Sequence, residues 1–367
     1  MSSANITTSP NKKRRTDNDK NDDAVDLVSD LAPRGRSLLP HSARVSNYSS
    51  GTSRTSSTKR LSQLEIAPVN PVLVAQIRRS DTRMPTDLVK ILDTLDNFQR
   101  RVGIVPNYLA VEIEARFKDD REFYNFQPSI FYETNETVHS QNPKLCLDAM
   151  LEIFSAATEC FNEEHSEATW NALVHWPVFR LALGPIIGFV ETDRKAQDKM
   201  HQADVRVMPC TTARLQGRPH GAKMVDYCFF IDPQGDDAQQ IDEIRESRDF
   251  INHTDYPPLR RRPIALSAVS KKPGEGYKDA QIQLGSALIP FLPAVIIQGH
   301  EWSFAATTKS GRHTILWVKQ AIGATNIVLG MFQIIHALRH IAARIRDTYW
   351  PWYRCAILQI PGSTQEG

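Results

Sequence analysis

Cysteine is scarce in this chain, and its placement excludes two kinds of covalent framework. The 367 residues contain 5 cysteines, at positions 146, 160, 210, 228 and 355, and no two of them form a CxxC pair. An odd, scattered set argues against a disulfide scaffold, and the missing pairs argue against a cysteine-rich zinc site. This cysteine usage predicts a protein of a reducing compartment.

Long apolar runs and an excess of one charge are also missing. The most apolar stretch, Ala287–Ile297, is broken by Pro290 and Pro293 and is shorter than the ~20 apolar residues of a membrane-spanning helix. The N-terminal residues lack the apolar region of a secretory signal. With 44 Lys and Arg against 42 Asp and Glu, the chain is nearly neutral, so its net charge creates no electrostatic field that would attract an acidic partner. We therefore expect a soluble intracellular protein without a membrane partner.

The first 65 residues differ in composition from the rest of the chain. They are rich in Ser, Thr, Asn and Asp and show no sustained apolar period. Such a composition buries too little surface to offset chain entropy, so residues 1–65 are predicted to be a disordered basic tail. The run Lys12, Lys13, Arg14 and Arg15 is either a nuclear localisation signal or a solvated charge run. The first interpretation predicts a nuclear protein, and the second leaves it in the cytoplasm.

One folded domain is predicted over residues 70–360, with its core at about 165–320. Apolar residues at helical spacing predict helices near residues 88–98, 145–161 and 166–183. Ser166 is expected to cap the third helix, whose buried face would include Leu173. A long final helix is expected to end before Pro351.

Short extended runs predict a sheet in the second half of the domain. The strand candidates cover residues 205–215, 224–231, 264–270, 302–307 and 313–318, with a helix expected at 277–288. The last two strands flank Lys309–Arg312, a segment typical of a hairpin turn. The predicted fold class is α+β or mixed α/β, with a central mixed sheet flanked by helices.

Two neighbouring strand candidates carry the side chains with the clearest chemical meaning. Asp226 lies in an apolar run, and Lys271 ends the next strand. Hydrolysis of a phosphodiester with Mg²⁺ needs oxygen ligands and a cation that orients water. Residues i and i+2 of a strand share a face, so Val269 stands where a second carboxylate would complete this arrangement. An ion pair between Asp226 and Lys271 is the structural alternative.

From about residue 70 onwards the chain resembles the fungal proteins with a PD-(D/E)XK nuclease-like domain. The matching segments, in order, are Glu167–Asn171 with His175, Val225–Tyr227, Pro263–Lys271 with Gln281 and Gln283, Ile322–Thr325 and Tyr349–Trp352. The resemblance implies a restriction-endonuclease-like core, built as helix, three strands, helix and strand. It also implies Mg²⁺-dependent cleavage of nucleic acid, with DNA as the expected partner.

The resemblance also implies roles for individual residues. Asp226 falls on the family's metal-binding acid, and Lys271 falls on the lysine of the acid-x-lysine element. Gln281 or Gln283 falls on the glutamine of the following helix, and Glu167 falls on an acid of the first core helix. The chain departs from the family pattern at Val269, where a glutamate is usual.

Two hypotheses follow from this departure. The chain is a Mg²⁺-dependent nuclease that is weakened, with its second carboxylate supplied by Glu167, Glu275 or Asp279. Alternatively, it is a catalytically inactive module that keeps the fold and binds nucleic acid or a protein. The valine favours the second hypothesis, and the retained Asp226 and Lys271 favour the first.

Basic residues next to the third core strand are the candidates for phosphate contacts. Arg260, Arg261 and Arg262 precede this strand, and Lys272 follows Lys271. Arginine and lysine side chains commonly contact the phosphate backbone of nucleic acids. A solvated loop is the alternative for the three arginines.

Overall fold

Nine strands are present in the described part of the chain, and seven of them form one mixed sheet. The computed structural model describes residues 56–68, 71–121, 126–133, 144–184, 205–213, 225–247, 251–252, 254, 256–274, 276–285 and 292–359. The strands are β1 Val72–Gln76, β2 Val105–Pro106, β3 Phe131–Tyr132, β4 Val205–Pro209, β5 Tyr227–Ile231, β6 Ile264–Lys271, β7 Leu292–Gln298, β8 Glu301–Ser310 and β9 His313–Ala324.

Helices fill most of the remaining described residues. They are α1 Ser57–Glu65, α2 Thr86–Gln99, α3 Ala110–Phe117, α4 Leu147–Asn162, α5 Glu167–Trp170, α6 Trp176–Leu183, α7 Gly235–Ser247, α8 Tyr277–Gly285, α9 Val328–Arg344 and α10 Trp350–Ala356. Two π-helical turns join α5 to α6 and α9 to α10, at Asn171–His175 and Ile345–Tyr349. Single 3₁₀ turns cover Asn107–Leu109, Pro128–Ile130 and Pro257–Leu259. Among the described residues, no helix combines the length and apolarity required to cross a bilayer.

The order of strands in the large sheet is β1-β9-β8-β7-β6-β5-β4. Strand β6 runs antiparallel to β5 and parallel to β7, and β1 runs parallel to β9. Because parallel neighbours need a crossover, the chain passes from β6 to β7 through α8. The short strands β2 and β3 form a separate parallel pair.

Alternate residues of the central strands face two different apolar cores. Val295 and Ile297 pack with the apolar residues of α2 to α6 and α9, whereas Ala294 and Ile296 pack with those of α1 and α8. This period of two is what a strand covered on both faces requires. The predicted fold class, a mixed α/β sheet flanked by helices, is therefore confirmed.

Several features of the fold differ from the expectations. Helix α1 lies inside the segment predicted to be disordered, and Leu64 of α1 is buried against the α8 side of the sheet. Strands β1 and β7 were not expected. The apolar run Ala287–Ile297 is too short to span a membrane, and from Leu292 onwards it forms β7, which pairs with β6 on one edge and with β8 on the other.

The two π-helical turns affect two predicted features of the helices. Leu173 was expected to be buried but is 46% exposed, because the π turn Asn171–His175 changes the helical phase. The long helix α9 ends before Pro351, as expected, but the chain continues from Arg344 through the π turn Ile345–Tyr349 into α10, where Pro351 lies in the first turn. A proline is tolerated in the first turn of a helix, where its missing N–H costs no hydrogen bond.

Candidate functional site

Asp226 and Lys271 lie at the same end of two antiparallel strands. Asp226 directly precedes β5, and Lys271 is the last residue of β6. The Asp226 N–H donates to the Ala268 carbonyl at 2.9 Å, and its Oδ2 accepts from the Ser270 N–H at 2.8 Å. The carboxylate is therefore tied to the peptide group next to Lys271.

The side chain of Lys271 is largely buried and has two oxygen neighbours. Its Nζ donates to the Ser270 carbonyl at 2.5 Å and lies 3.6 Å from Oε2 of Glu167. Gly276 has a φ of +71°, and a Cβ built on it would lie 2.5 Å from Cδ of Lys271. The absence of a side chain at Gly276 thus leaves the space through which the lysine stem passes.

Glu167 reaches Lys271 from the start of α5. As expected, Ser166 caps this helix, and its Oγ accepts from the Thr169 N–H at 3.3 Å. The pKa of the Tyr227 phenol is raised mainly by burial, and also by the negative charges of Asp226 and Glu167. Both carboxylates are thus close enough to one tyrosine to act on its ionisation.

Val269 is completely buried on the face of β6 that α8 covers. It belongs to the apolar cluster that contains Cys228 of β5 and Ala280 of α8. The register pairs Tyr227 with Ala268, and its continuation by one residue places Asp226 opposite Val269. Because Cys228 lies two residues after Asp226, alternation places Asp226 on this face too. The position where the resemblance implies a glutamate is therefore occupied by hydrocarbon in apolar surroundings.

The two glutamines of α8 are at least half-buried. Gln281 is 8% exposed, and Oε1 of Gln283 is buried without a hydrogen-bond partner among the described residues. Ala280, Ile282 and Leu284 anchor α8 on the cluster that contains Val269. The helix thus covers the valine, and the roles of Gln281 and Gln283 at the site stay a prediction.

Of the three acids considered as replacements for the glutamate, Glu167 is the one seen next to Lys271. The Oδ1 atom of Asp279 accepts from Ser57 Oγ at 2.9 Å and lies 3.5 Å from Arg60. This contact directs Asp279 towards α1. Glu275 lies outside the described residues.

The arginine run lies at the opposite end of β6 from Lys271. Arg261 is paired with Asp242, and Nε of Arg262 lies 2.8 Å from Oδ1 of Asp232. The Arg262 guanidinium also lies 5.2 Å from the ring centroid of Phe230. Arg260 joins them in lining a cleft of ≈ 640 Å³.

These contacts bear on the predicted binding of phosphates. Arg261 and Arg262 already have carboxylate partners, so a phosphate would have to compete with them. Lys272 is exposed next to Lys271. The phosphate contacts of all four residues stay a prediction, and the basic run Lys12–Arg15 lies outside the described residues.

A buried polar network supports the site, and sequence reasoning assigned it no role. The Tyr227 hydroxyl donates to the Asn171 carbonyl at 3.0 Å, and the Asn171 side-chain amide lies 2.8 Å from Nδ1 of His175. Nε2 of His175 lies 3.0 Å from the Gly299 carbonyl, and the Gly299 N–H donates to the Lys271 carbonyl at 3.0 Å. The π turn is thereby connected to both strands that carry the site.

The protonation of His175 follows from its burial. Burial lowers the pKa of His175 to about 4, so the ring is neutral at pH 7. Its Nε2 must donate to the Gly299 carbonyl, and Nδ1 then needs a donor, which is the NH₂ group of Asn171 in one of its two amide orientations. The four-residue spacing of Asn171 and His175 on a helix was visible in the sequence, but their distant partners were not.

The described residues do not fit a Mg²⁺ site built from two strand carboxylates. Val269 offers no oxygen, Glu167 is engaged with Lys271, and no group of three His, Cys, Asp or Glu side chains in the described segments is arranged to hold a metal. Mg²⁺ requires oxygen ligands in near-octahedral geometry. Of the described residues, Asp226 remains as the carboxylate that the start of β5 brings to this position.

Comparison with known proteins identifies one family. A model described as the PD-(D/E)XK nuclease superfamily matches residues 112–289 and 285–350. No curated protein and no solved structure matches the chain. The matched residues include Asp226, Val269, Lys271 and Glu167, and they make up more than half of the chain.

Proposed function

The chain belongs to the PD-(D/E)XK nuclease superfamily, and on this premise we propose that it binds nucleic acid, expected to be DNA, but is impaired in cleaving it. The ancestral activity in this proposal is Mg²⁺-dependent hydrolysis of phosphodiester bonds. The present chain would carry it out slowly or not at all, because Val269 replaces the second metal-binding acid.

The burial of Val269 is the observation that carries the proposal. Continuation of the register places the valine opposite Asp226, and it packs in the apolar cluster with Cys228 and Ala280, so residue 269 itself offers no oxygen ligand. The engagement of Glu167 with Lys271 adds to this argument. The lysine that would orient water in an active enzyme already has an anionic partner.

The retained groups favour binding over complete loss of function. The exposed Lys272 places a positive charge at the end of β6, next to Lys271, which is paired with Glu167. Neutralisation of phosphates by such side chains is the main source of affinity for nucleic acids, and it makes that affinity dependent on salt. Binding at this end should therefore weaken steadily as salt is added.

A nuclease assay with Mg²⁺ or Mn²⁺ tests the proposal. Wild type, Val269→Glu and Asp226→Ala are compared on single-stranded and duplex DNA and RNA, with the double variant as control. Wild type is expected to be slow or inert, and Val269→Glu should gain cleavage that is lost when Asp226→Ala is added. Robust cleavage by wild type that survives Asp226→Ala would overturn the assignment of the site.

A fully inactive binding module is the second candidate function. The ion pair between Glu167 and Lys271 favours it, because the pair stabilises an arrangement without metal. This candidate predicts that Val269→Glu gains no cleavage with either metal, whereas binding of nucleic acid is retained. If nucleic acid does not bind either, a protein partner becomes the remaining interpretation.

Nuclear localisation is part of the proposal and rests on the run Lys12–Arg15. A fluorescent fusion of the whole chain should accumulate in nuclei, and replacement of the four residues by alanine should spread it into the cytoplasm. Equal distribution of both fusions would remove this part of the proposal and leave the binding proposal intact.

A further inference from the structure

A cleft of ≈ 800 Å³ opens next to the end of β6 that carries Lys271. Its walls come from the end of α4, from the loop after Lys271 and from the turn between β7 and β8. Phe161, Pro273, Gln298 and His300 are among the lining residues. The volume is within the range of about 300–1,000 Å³ found for small-ligand sites.

The cleft and the candidate site are built from neighbouring segments of the backbone. Gln298 is the register partner of Lys271 in the parallel pair of β6 and β7. The Gly299 N–H donates to the Lys271 carbonyl, and Pro273 follows Lys271 by two residues. A nucleic-acid strand with a phosphate at the exposed Lys272, next to Pro273 of the lining, would place a neighbouring nucleoside at the mouth of this cleft.

Phe161 presents an aromatic ring to this cleft. The side chain is 53% exposed at the end of α4. Its ring centroid lies 5.2 Å from that of His300, and the His300 ring lies edge-on to the buried Trp170 at 5.0 Å. The contact with His300 supports the phenylalanine from the protein side. A supported, exposed ring is suited to stacking against a planar ligand, because little side-chain freedom is lost on binding.

Besides the apolar Pro273 and Ala324, the cleft is lined by polar groups that are mostly uncharged. Thr158 and Asn326 contribute a hydroxyl and an amide, and the acid Glu301 lies 3.3 Å from Lys319. No lysine or arginine lines the cleft within the described part of the chain. Such a lining is poorly suited to a phosphate but suited to the hydrogen-bonding edge of an uncharged base.

His300 adds a hydrogen-bonding group of defined orientation. Its Nδ1 lies 3.1 Å from Oγ1 of Thr325, which leaves Nε2 as the ring nitrogen available to a ligand. Burial lowers the pKa of His300, so the ring is neutral at pH 7. A neutral imidazole donates or accepts one hydrogen bond at Nε2, according to its tautomer.

We propose that this cleft binds one unpaired nucleobase of a strand whose backbone passes Lys271 and Lys272. Phe161 stacks on the base, and His300 bonds to its edge. The inference rests on the proposed function, because it requires a strand at Lys271. A base inside a duplex cannot reach Phe161 unless it leaves the stack, so the site selects single-stranded or locally unpaired nucleic acid.

Binding of labelled oligonucleotides to the full chain, measured by fluorescence anisotropy without added metal, tests the inference. The probes are one sequence as single-stranded DNA, single-stranded RNA and duplex DNA, together with an abasic single strand of the same length. The variants are Phe161→Ala, Phe161→Trp and Lys272→Ala. Trp352→Ala is the matched control, because Trp352 is an exposed aromatic that lines a different cleft.

Base stacking gives a distinct pattern across these probes. Phe161→Ala should weaken binding of the normal single strand by roughly 5- to 100-fold. It should leave the abasic strand unchanged, and Phe161→Trp should restore affinity. Lys272→Ala should weaken all probes alike and reduce the dependence on salt. Trp352→Ala should have no effect.

Three results would overturn the inference. The first is unchanged affinity of Phe161→Ala for the normal strand, and the second is an equal loss on the abasic strand. If either result is found while wild type still binds the probes in a salt-dependent way, the proposed function is retained and only the inference about the cleft fails. The third result is that wild type binds none of the probes, and in that case the proposed function fails as well.

Discussion

The ammonium group of Lys271 lies 3.6 Å from the carboxylate of Glu167, and the lysine is the more deeply buried partner. The Lys271 side chain is 13% exposed, against 35% for Glu167. If Lys271 is removed, water can solvate Glu167, whereas removal of Glu167 leaves a cation in a poorly solvated place. The two substitutions should therefore differ in their effect on stability.

A double-mutant cycle measures this asymmetry. Glu167→Gln should lower the free energy of unfolding by about 1–3 kcal/mol, because a largely buried charge loses its counterion. Lys271→Met should cost less than about 1 kcal/mol, since its stem is apolar and the remaining carboxylate is partly hydrated. The double variant should be more stable than Glu167→Gln alone. Urea denaturation measures all four proteins, and strictly additive costs would contradict the ion pair.

Local patterns in the sequence predicted the elements that carry the site. Strands β5 and β6 were predicted from their short extended runs, and α5 from its cap at Ser166. The pairing of Glu167 with Lys271 was less accessible. The sequence offered Glu167 only as one of three acids that could supply the second carboxylate, and the length of the lysine side chain decides whether the two charges meet.

Other parts could not be predicted because they depend on distant contacts. A π turn rotates the residues that follow it around the helix axis, and the spacing of apolar residues in the sequence does not reveal this rotation. For this reason Leu173 was expected to be buried but is exposed. Helix α1 has few apolar residues, and its docking depends on α8, far along the chain. Likewise, the ion pairs of Arg261 and Arg262 with Asp242 and Asp232 require the folded chain.

Val269→Glu should make thermal stability depend on metal. A carboxylate in this apolar cluster, opposite Asp226, is disfavoured by burial and by like charge, so the melting temperature should fall without metal. Mg²⁺ or Mn²⁺ should raise it again, because a ligand that binds only the folded state stabilises that state. Differential scanning fluorimetry with and without metal measures this shift.

Two controls make the result specific to the site. Adding Asp226→Ala to Val269→Glu should abolish the rise with metal, and Val269→Gln should be destabilised without any rise. A rise of the same size in wild type would mean that the metal binds elsewhere. That outcome would contradict the assignment of residue 269 to the metal position.

Two buried histidines should make the protein less stable at mildly acidic pH. Burial is the main cause that lowers the pKa of His175 and of His336 to about 4, from 6.5. Below pH 6.5 the unfolded chain binds protons that the folded chain does not. The free energy of unfolding should therefore be level above pH 6.5 and should fall as the pH decreases to about 4. Each histidine contributes up to about 3 kcal/mol to this loss.

Urea denaturation at a series of pH values measures this dependence. His175→Gln should be less stable at neutral pH but should show a shallower fall between pH 6.5 and 4. Asp81 belongs to a lower window, because its hydrogen bonds to Arg83 lower its pKa from 3.8 to about 2. The contribution of Asp81 to the free energy of unfolding is lost only as the pH falls below 3.8. An unchanged slope in His175→Gln would contradict a neutral buried ring.

The contact between Asp279 and α1 predicts that removal of the Asp279 carboxylate loosens α1 locally and does not affect catalysis. Asp279→Ala removes the acceptor of Ser57, in a partly buried hydrogen bond, and the partner of Arg60, in an exposed ion pair. Exposed pairs contribute about 0–1 kcal/mol, so global stability should change little. The docking of α1 should loosen, however, because these contacts hold it on α8 together with Leu64. Trypsin should therefore cut at Lys59 and Arg60 faster than in wild type.

A surface control and an activity assay separate this role from metal binding. Asp93 is another exposed acid, which lies on α2 and is paired with Arg79. Asp93→Ala should leave cleavage by trypsin at Lys59 and Arg60 unchanged. Any nuclease activity gained by Val269→Glu should persist when Asp279→Ala is added, because Asp279 points towards α1. If that activity is lost while α1 stays protected, Asp279 reaches the metal position, and the engagement with α1 is not its main role.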